Sequence, residues 1–216
     1  MAILITGANR GIGKALFDGY EDLGKTVYGT HRGPDVGQML NLDVTDPSAH
    51  RALADSLRGT PIDLLVCNAG VYLDKNDQLE NGFAAPLWAT TFAANVTGIF
   101  LSVQSLLPNL RAATSGKIAI ISSQMGSDSR APGGSYIYRA SKAAALNLGR
   151  NLASDLRTQG IAVGIYHPGW VRTDMGGQGA EISVSESAAG LMDRFDALEI
   201  ATTGCFETWD GRAHPF

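Results

Sequence analysis

Short apolar runs alternate along this chain with longer segments in which apolar residues recur at helical spacing. The apolar runs lie at residues 2–6, 26–30, 39–44, 62–70, 116–123, 160–169 and 204–211. Because they lack the polar alternation of a half-exposed strand, they predict strands buried on both faces of a parallel sheet. Helical segments separate most of them, at residues 11–24, 46–59, 86–112, 136–158 and 183–195.

The order of these elements predicts an α/β fold. We expect a single-domain, Rossmann-type, doubly wound parallel sheet of about seven strands, with helices on both faces. Asp46 followed by Pro47 is typical of a helix start, since proline needs no hydrogen bond in the first turn. A length of 216 residues suits one domain over residues 1–216. The Gly-rich residues 167–183 are expected to form a loop within it.

The composition is typical of a soluble globular protein, with 44% hydrophobic and 18% charged residues. A net charge of −4 without a basic cluster argues against a nucleic-acid partner. We see no signal peptide and no apolar run of membrane-spanning length, so we expect a cytoplasmic protein without a membrane partner.

The cysteines and histidines give no sign of a disulfide framework or a metal. Cys67 and Cys205 have no metal-ligand spacing, and each is expected to behave as a small apolar side chain. The histidines are scattered without ligand spacing, at His31, His50, His167 and His214. No metal is therefore expected.

A glycine motif, "TGANRGIG" at 6–13, joins the first predicted strand to the first helix. Gly7, Gly11 and Gly13 allow a tight turn and close backbone approach, and the helix N-terminus behind them favours a pyrophosphate. The alternative is a turn whose glycines only let the helix pack on the sheet. The position at the first strand-to-helix junction favours the nucleotide site.

Polar residues follow three further strands at the same predicted edge of the sheet. Asp43-Val44 ends the third strand, Asn68-Ala69-Gly70 the fourth and Ser122-Ser123 the fifth. Asn95 lies inside a long helix, where asparagine often indicates a backbone hydrogen bond or a kink. Ligands bind at this edge of doubly wound sheets, so the set predicts one site.

Together with Tyr138-x-x-x-Lys142 and Pro168-Gly169, these residues resemble the short-chain dehydrogenase/reductase family over essentially the whole chain. Within the family, "ISSQMGS", "YIYRASKAAALN" and "DGRAHPF" look like C-factor-like and sniffer-type carbonyl reductases. Cys67 stands where relatives usually have a second asparagine, a difference expected to alter packing rather than catalysis.

The resemblance implies four catalytic residues. Tyr138 would be the acid/base, and Lys142 would hold the nicotinamide ribose. A nearby ammonium and the positive nicotinamide ring are expected to lower the phenol pKa from about 10 toward neutrality. Ser123 would bind the substrate oxygen, with Ser122 the less well placed alternative by strand-end register, and Asn95 would hold a water near Lys142. Tyr136 lacks a lysine four residues on and is expected to pack or to face the substrate.

The resemblance also implies NADP(H) as the cofactor. His31 stands where an NAD-specific relative would place an acid, and Arg32 and Arg10 occupy positions where relatives contact the 2'-phosphate. The expected cofactor contacts are Gly7, Asn9, Arg10, Gly11, Ile12, Gly13, Arg32, Asp43, Val44, Asn68, Ala69, Gly70, Tyr138, Lys142, Pro168, Gly169, Val171 and Thr173.

The expected activity is hydride transfer between NADPH and a small carbonyl or alcohol. The short loop after Pro168-Gly169 predicts an open, permissive pocket. Its expected substrate contacts are Ser123, Tyr136, Trp170, Met175 and Met125. Helices 86–112 and 136–158 are apolar enough to predict a homodimer or homotetramer.

Two other functions compete with the reductase. One is a non-catalytic NADP(H)-binding sensor or signalling protein on the same fold, which would have no need of all four catalytic residues. The other is an epimerase or dehydratase, which shares Tyr-x-x-x-Lys but has a longer chain with a separate substrate domain. A length of 216 residues leaves little room for such a domain.

Overall fold

The computed structural model describes residues 1–216. The strands are β1 (Ala2–Ile5), β2 (Thr26–His31), β3 (Met39–Asn41), β4 (Leu64–Cys67), β5 (Lys117–Ile121), β6 (Ala162–His167) and β7 (Phe206–Thr208). The helices are α1 (Gly11–Asp22), α2 (Pro47–Ser56), α3 (Ala85–Phe92), α4 (Gly98–Ala112), α5 (Tyr136–Arg157) and α6 (Val184–Ala197), with a π-helical turn at Ala93–Thr97 and a 3₁₀ turn at Gln124–Gly126.

All seven strands lie in one parallel sheet, in the order β3-β2-β1-β4-β5-β6-β7. In register, Leu4 of β1 lies between Tyr28 of β2 and Leu65 of β4. The strand order reverses at β1, and the crevice outside the carboxyl ends of β1 and β4 is where doubly wound sheets bind ligands. The predicted fold class is confirmed.

Each face of the sheet carries its own apolar core. Leu4 and Leu65 face the layer formed by α2, α4 and α5. Ile3 and Val66, one residue along each strand, face α1 and α6 on the other side. Since successive side chains of a strand point to opposite faces, a run without polar residues is what a sheet covered on both faces needs.

All the strands except β2 end one to three residues earlier than the apolar runs predict. β3 stops at Asn41, β5 at Ile121 and β7 at Thr208. Side chains just beyond the first two bind the backbone locally: Asp43 accepts from the Thr45 amide, and Ser123 accepts from the Met125 amide. Such local hydrogen bonds compete with the sheet ladder, so the chain turns away.

The predicted helix 86–112 is interrupted by the π-helical turn at Ala93–Thr97, which contains Asn95. Asparagine at this point therefore marks a real irregularity, as its unfavourable position in a helix suggested.

The expectation that the chain has no apolar run of membrane-spanning length was wrong for this helix. Residues Ala85–Ala112 form 28 helical residues, and an 18-residue window within them has a mean hydropathy of 1.2. By length and composition alone this helix could cross a membrane. In the fold, however, Ile99, Val103 and Leu106 of this helix are buried against the sheet. A core helix of a globular protein has the same composition, because it too must bury an apolar face.

Candidate active site

Tyr138 and Lys142 lie one turn apart near the start of α5, and both are buried. The Lys142 ammonium lies 5.6 Å from the centre of the Tyr138 ring and donates to the Ile121 carbonyl at 2.9 Å. That carbonyl ends β5, so the lysine ties the helix to the carboxyl edge of the sheet. The pair is thus fixed inside the protein and is not a solvated surface pair.

The pKa of Tyr138 does not follow the expected direction. Burial raises it well above the ordinary phenol value, Ser123 lowers it by a hydrogen bond, and Tyr72 and Asp74 raise it further. Burial also lowers the pKa of Lys142 to about 8. In the protein alone, loss of hydration therefore outweighs the lowering of the pKa by Ser123, and the phenol stays protonated near pH 7.

The structure separates the roles of the two serines at the end of β5. The Ser122 hydroxyl donates to the Lys142 carbonyl at 3.1 Å and is buried inside the helix–strand contact. Ser123 caps the 3₁₀ turn at Gln124–Gly126, where its hydroxyl accepts from the Met125 amide at 3.1 Å, and it lines the same cleft as Tyr138. Ser123 is therefore the serine that lies on the same side as the tyrosine.

Asn95 is fully buried, and its side chain holds three groups in place. Its amide donates to the Val71 carbonyl at 2.9 Å and to the Ser141 hydroxyl at 3.0 Å, and its carbonyl accepts from the Val71 amide at 2.8 Å. Ser141 lies on α5 next to Lys142. The π-helical turn thus links the segment after β4 to the helix that carries the tyrosine and the lysine.

Asp74 was not identified from the sequence. Its carboxylate is fully buried and accepts from the Ile137 amide at 2.8 Å and from the Tyr138 amide at 3.3 Å. A carboxylate at a helix N-terminus satisfies unpaired amides and favours the helix dipole. The residue lies in the loop after β4, where nothing in the sequence pattern indicates that it reaches α5.

Tyr72 was also missed. Its ring stacks on that of Tyr138 with the centroids 4.2 Å apart. Its hydroxyl shares a hydrogen bond with Ser135, whose backbone is left-handed at φ +48°. Tyr72 and Asp74 together fix the first turn of α5 from the side of β4.

The glycine turn between β1 and α1 leaves no space for side chains. Gly7 and Gly11 have positive φ values of +68° and +52°. A Cβ on Gly13 would lie 2.2 Å from the Gly7 carbonyl oxygen and 2.5 Å from the Asn68 amide nitrogen. The Asn68 amide itself donates to the carbonyls of Thr6 and Gly7, at 2.9 and 3.1 Å.

The start of α1 also has free hydrogen-bond donors. Its N-cap, Arg10, has an extended backbone and provides no side-chain hydrogen bond to the first turn. The unpaired amides of a helix N-terminus favour an anion such as a pyrophosphate. The turn therefore fits a dinucleotide, with Gly7, Gly11 and Gly13 allowing close approach. Asn9 lies in the same turn, and Ile12 lines the neighbouring cleft.

Two arginines are expected at the 2'-phosphate: Arg10 lies in this turn, and Arg32 follows β2. Arg32 is exposed and follows the last residue of β2. The pKa of Asp43 is lowered mainly by the hydrogen bonds from Thr45 and also by the charge of Arg32. Arg10 is also exposed and pairs with Asp174 at 3.1 Å. His31 ends β2 and bonds the Pro34 carbonyl at 2.9 Å, so no acid occupies this strand end.

The remaining predicted cofactor residues follow the ends of β3 and β4. Asp43 is held by the Thr45 amide at 2.9 Å. Val44 packs against Gly98, where a Cβ would lie 3.0 Å from the Val44 carbonyl oxygen. Ala69 lies beside Gly7, and Gly70 beside Asn95 and the Lys142 ammonium.

A cleft of about 650 Å³ opens beside Ser123 and Tyr138. Its lining includes the predicted cofactor residues Ile12, Pro168, Gly169, Val171 and Thr173, and the predicted substrate residues Met125, Trp170 and Met175. Tyr136 is not among them, because its ring packs edge-on against Phe83 and is partly exposed. The expectation that Tyr136 packs fits this geometry, whereas substrate contact does not.

The loop 168–183 covers one side of the cleft and is held by contacts within itself and to its surroundings. Trp170 donates to the Gly176 carbonyl at 2.9 Å, within the loop. Lys75 donates to the Met175 carbonyl at 3.3 Å, and Asp174 forms the ion pair with Arg10. The loop therefore connects the glycine turn with the segment after β4.

Comparison with known proteins identifies the family. The short chain dehydrogenase family matches residues 1–181. The chain belongs to that family. The predicted resemblance is confirmed, and with it the assignment of the chain to a family of oxidoreductases that use nicotinamide cofactors.

Individual relatives of this short chain dehydrogenase also agree with the predicted resemblance to C-factor-like and sniffer-type carbonyl reductases. The C-signal protein of Myxococcus xanthus is 34% identical over 172 residues, which cover 77% of this chain and 99% of that protein. The NADPH-bound carbonyl reductase from chicken fatty liver has a TM-score of 0.91 at 30% identity, covering 100% of this chain and 98% of the other. The carbonyl reductase Sniffer of D. melanogaster has a TM-score of 0.92 at 26% identity, covering 100% and 99%.

Proposed function

We propose that this protein is an NADPH-dependent carbonyl reductase that converts small aldehydes, ketones or quinones to alcohols. The observation that carries the proposal is the buried Tyr138, next to Ser123 and Lys142 at the inner end of the cleft. The relatives named above include two carbonyl reductases, one of them with NADPH bound. The dinucleotide fits the turn formed by Gly7, Gly11 and Gly13.

Tyr138 is the general acid in this proposal. The nicotinamide, when bound, supplies the hydride to the carbonyl carbon. The phenol gives its proton to the carbonyl oxygen, because its raised pKa keeps it protonated at neutral pH. The same raised pKa means that alcohol oxidation, which needs the phenolate, should require a higher pH than carbonyl reduction.

The neighbouring side chains orient the substrate and keep the proton available. Ser123 lines the cleft with Tyr138, and its one hydroxyl proton is donated to the carbonyl oxygen. Lys142 stays charged below about pH 8 and binds the ribose hydroxyls of the cofactor. Asn95 positions the chain around Lys142 through Ser141 and Val71.

The preference for NADPH over NADH rests on Arg10 and Arg32. Both arginines are exposed near the end of β2, where no acid stands to repel a 2'-phosphate. We expect Arg32→Ala to raise the KM for NADPH about tenfold, the effect of one charge-assisted hydrogen bond, with little change for NADH. Equal KM changes for the two cofactors would remove Arg32 from this role.

A signalling role without catalysis is the second candidate. It is favoured by one observation, the 34% identity to a protein named C-signal over 99% of that protein's length. In that case the protein would bind NADP(H) without turnover.

The test is NADPH consumption, followed by absorbance, with a panel of small aldehydes, ketones and quinones. Steady turnover of several small carbonyls, with much lower kcat/KM for NADH, is the expected result. Tight NADPH binding with no turnover of any carbonyl would instead favour the sensor.

We also propose that the protein pairs with itself through the long helices. Trp88 and Phe100 on the helix at 85–112 are 37% and 42% exposed, although large aromatic side chains are usually buried. Sedimentation at micromolar concentration should give a species larger than 22.7 kDa. A monomer would contradict the pairing.

A further inference from the structure

The cleft has a charge opposite to that of the whole protein. Its lining holds three cationic side chains, Lys75, Arg130 and Arg212, and one carboxylate, Glu181. The chain as a whole carries a net charge of −4. A positive cleft on a negative protein focuses the field on its own opening and attracts anions there.

Two of the cations lie at one end of the cleft together with two histidines. We call the set Arg130, His167, Arg212 and His214 the basic end. His167 is the last residue of β6, one strand over from Ser123 on the same edge of the sheet. Its ring centre lies 6.2 Å from that of His214, and the charges of Arg130 and Arg212 reach it.

His167 lacks a partner within the protein. It is 7% exposed, neither ring nitrogen has a hydrogen bond, and Nδ1 is shielded from solvent. Buried polar groups are nearly always paired, so an unpaired one in a cleft wall indicates a ligand group. Burial, His214 and Arg130 lower the pKa of His167 to about 4, so the ring is neutral at pH 7 and offers one N–H donor.

The two arginines are presented by segments that the fold holds in place. Arg139 of α5 donates to the Met125 carbonyl at 3.4 Å and to the Arg130 carbonyl at 3.1 Å, fixing the loop beneath Arg130. Ser127 of that loop donates to the Pro215 carbonyl at 2.7 Å, which ties it to the segment of Arg212 and His214. Arg212 pairs with Asp210 at 2.8 Å.

We propose that the basic end binds a carboxylate of the substrate, so that the preferred substrates are small aldehydes or ketones that also carry a carboxylate group. The inference rests on the proposed carbonyl reduction and adds the substrate class. Ser123 and Tyr138 line the same cleft as the basic end, so a molecule whose carbonyl lies at the first pair can extend to the second. Arginine suits this task because its planar guanidinium matches the geometry of a carboxylate.

The size of the cleft limits the substrate. The 650 Å³ must also hold the nicotinamide, since Ile12, Pro168 and Thr173 are part of the same lining. The remaining space suits a molecule of the size of a benzaldehyde derivative better than a long chain. We therefore choose 4-carboxybenzaldehyde and its neutral counterpart, methyl 4-formylbenzoate, as matched probes.

The experiment compares kcat/KM for the two probes with NADPH. We expect the carboxylate to be preferred about tenfold, the effect of one charge-assisted hydrogen bond at a partly exposed site. Arg130→Gln should reduce the carboxylate-to-ester ratio to near one, and Arg212→Gln should reduce it as well. Raising the salt concentration should lower the ratio in the unmodified protein.

The control variant is Arg111→Gln, at the end of α4, where the arginine bonds Gln159 at 2.8 Å and is exposed to solvent. It removes the same charge from the protein but not from the cleft, so its ratio should match that of the unmodified protein. An ester reduced as well as the carboxylate, or a ratio unchanged in both cleft variants, would overturn the inference.

A binding measurement separates this inference from the proposed function. The NADPH-saturated protein is titrated by calorimetry with 4-(hydroxymethyl)benzoate and with its methyl ester, neither of which can be reduced further. Tighter binding of the anion supports the basic end even if no carbonyl is turned over. Equal binding overturns it even if carbonyls are reduced.

Discussion

The nucleotide half and the substrate half of the cleft are built from different materials. The nucleotide half consists mainly of backbone: the glycine turn at 7–13 and the strand end at 68–70. Asn68 and Ala69 join the two segments by donating to Thr6, the residue between β1 and the turn. The substrate half consists of side chains from three distant segments, around residues 123–130, 168–183 and 208–214. The nucleotide half depends on positions without side chains, whereas the substrate half depends on which side chains are present.

This difference predicts different responses to mutation. In the nucleotide half an added methyl group on Gly13 meets backbone that cannot move. In the substrate half the response depends on the position in the loop: a Cβ on Gly176 would lie 2.0 Å from the Val171 carbonyl oxygen, whereas a Cβ on Gly179 meets open space. Only where the two halves meet, at Tyr138, should a change too small to disturb the packing have a large effect on the rate.

The largest effect is expected for Tyr138→Phe. It removes the proton donor with little change in volume, so kcat should fall about a thousandfold, the range of general acid catalysis. NADPH affinity, followed by fluorescence titration, should change little. Tyr136→Phe is the matched control and should retain most of its activity, because that ring packs on Phe83 outside the cleft. Equal losses in the two variants would reject the assigned roles.

The next effect compares two glycines. A Cβ on Gly13 would lie 2.2 Å from the Gly7 carbonyl oxygen, whereas a Cβ on Gly179 would meet nothing within 4 Å. We expect Gly13→Ala to lose about 2–4 kcal/mol of stability and most NADPH binding. Gly179→Ala should change neither, as measured by thermal unfolding with and without NADPH. A Gly13→Ala variant that binds NADPH normally would break the comparison.

Asp74→Asn, next to Tyr138 where the two halves meet, should have a smaller effect than the two preceding substitutions. The asparagine side chain has one acceptor oxygen in place of two, so it satisfies the backbone amides at the start of α5 less well. We therefore expect kcat to fall about tenfold and the free energy of unfolding to fall by about 1–3 kcal/mol. Asp74 also raises the pKa of Tyr138 by its charge. Without that charge, the pH profile of alcohol oxidation, which needs the phenolate, should shift to lower pH. A loss of stability with an unshifted profile would leave Asp74 with a structural role alone.

The smallest effect is a pH dependence. The Lys142 ammonium is protonated below a pKa of about 8 and loses its charge as the pH rises through that value. The Tyr138 phenol remains protonated there, since its pKa is raised. The rate of reduction should therefore be flat near pH 7 and decline above pH 8 by a few-fold, as seen in kcat profiles at saturating NADPH. In an active Lys142→Arg variant the decline should disappear, because arginine keeps its charge.

The sequence predicted the nucleotide half well because that half depends on local pattern. Apolar runs gave the strands, glycine spacing gave the turn, and the parallel order brought Asn68 and Ser123 to one edge. The predicted helix start at Asp46-Pro47 is confirmed, with Asp46 accepting from the Ser48 amide at 2.8 Å.

The substrate half could not be predicted in the same way. Tyr72 and Asp74 act on α5 across more than sixty positions of sequence, and no periodicity links them to it. His214 reaches the cleft through the turn after β7, which the apolar pattern extended as strand. The direction of the Tyr138 pKa shift depended on burial, which spacing along a helix does not reveal.

The π-helical turn at Ala93–Thr97 has a consequence for changes in chain length. Such a turn holds one residue more than an α-helical path needs. If the same residues formed a regular α-helix, its two flanks would rotate by about 100° relative to each other. Either Asn95 would then leave Ser141, or Ile99 and Val103 would leave the sheet. Deleting one residue of the turn other than Asn95 should therefore keep both flanks in place, because the shorter chain reaches the same alignment as a plain α-helix.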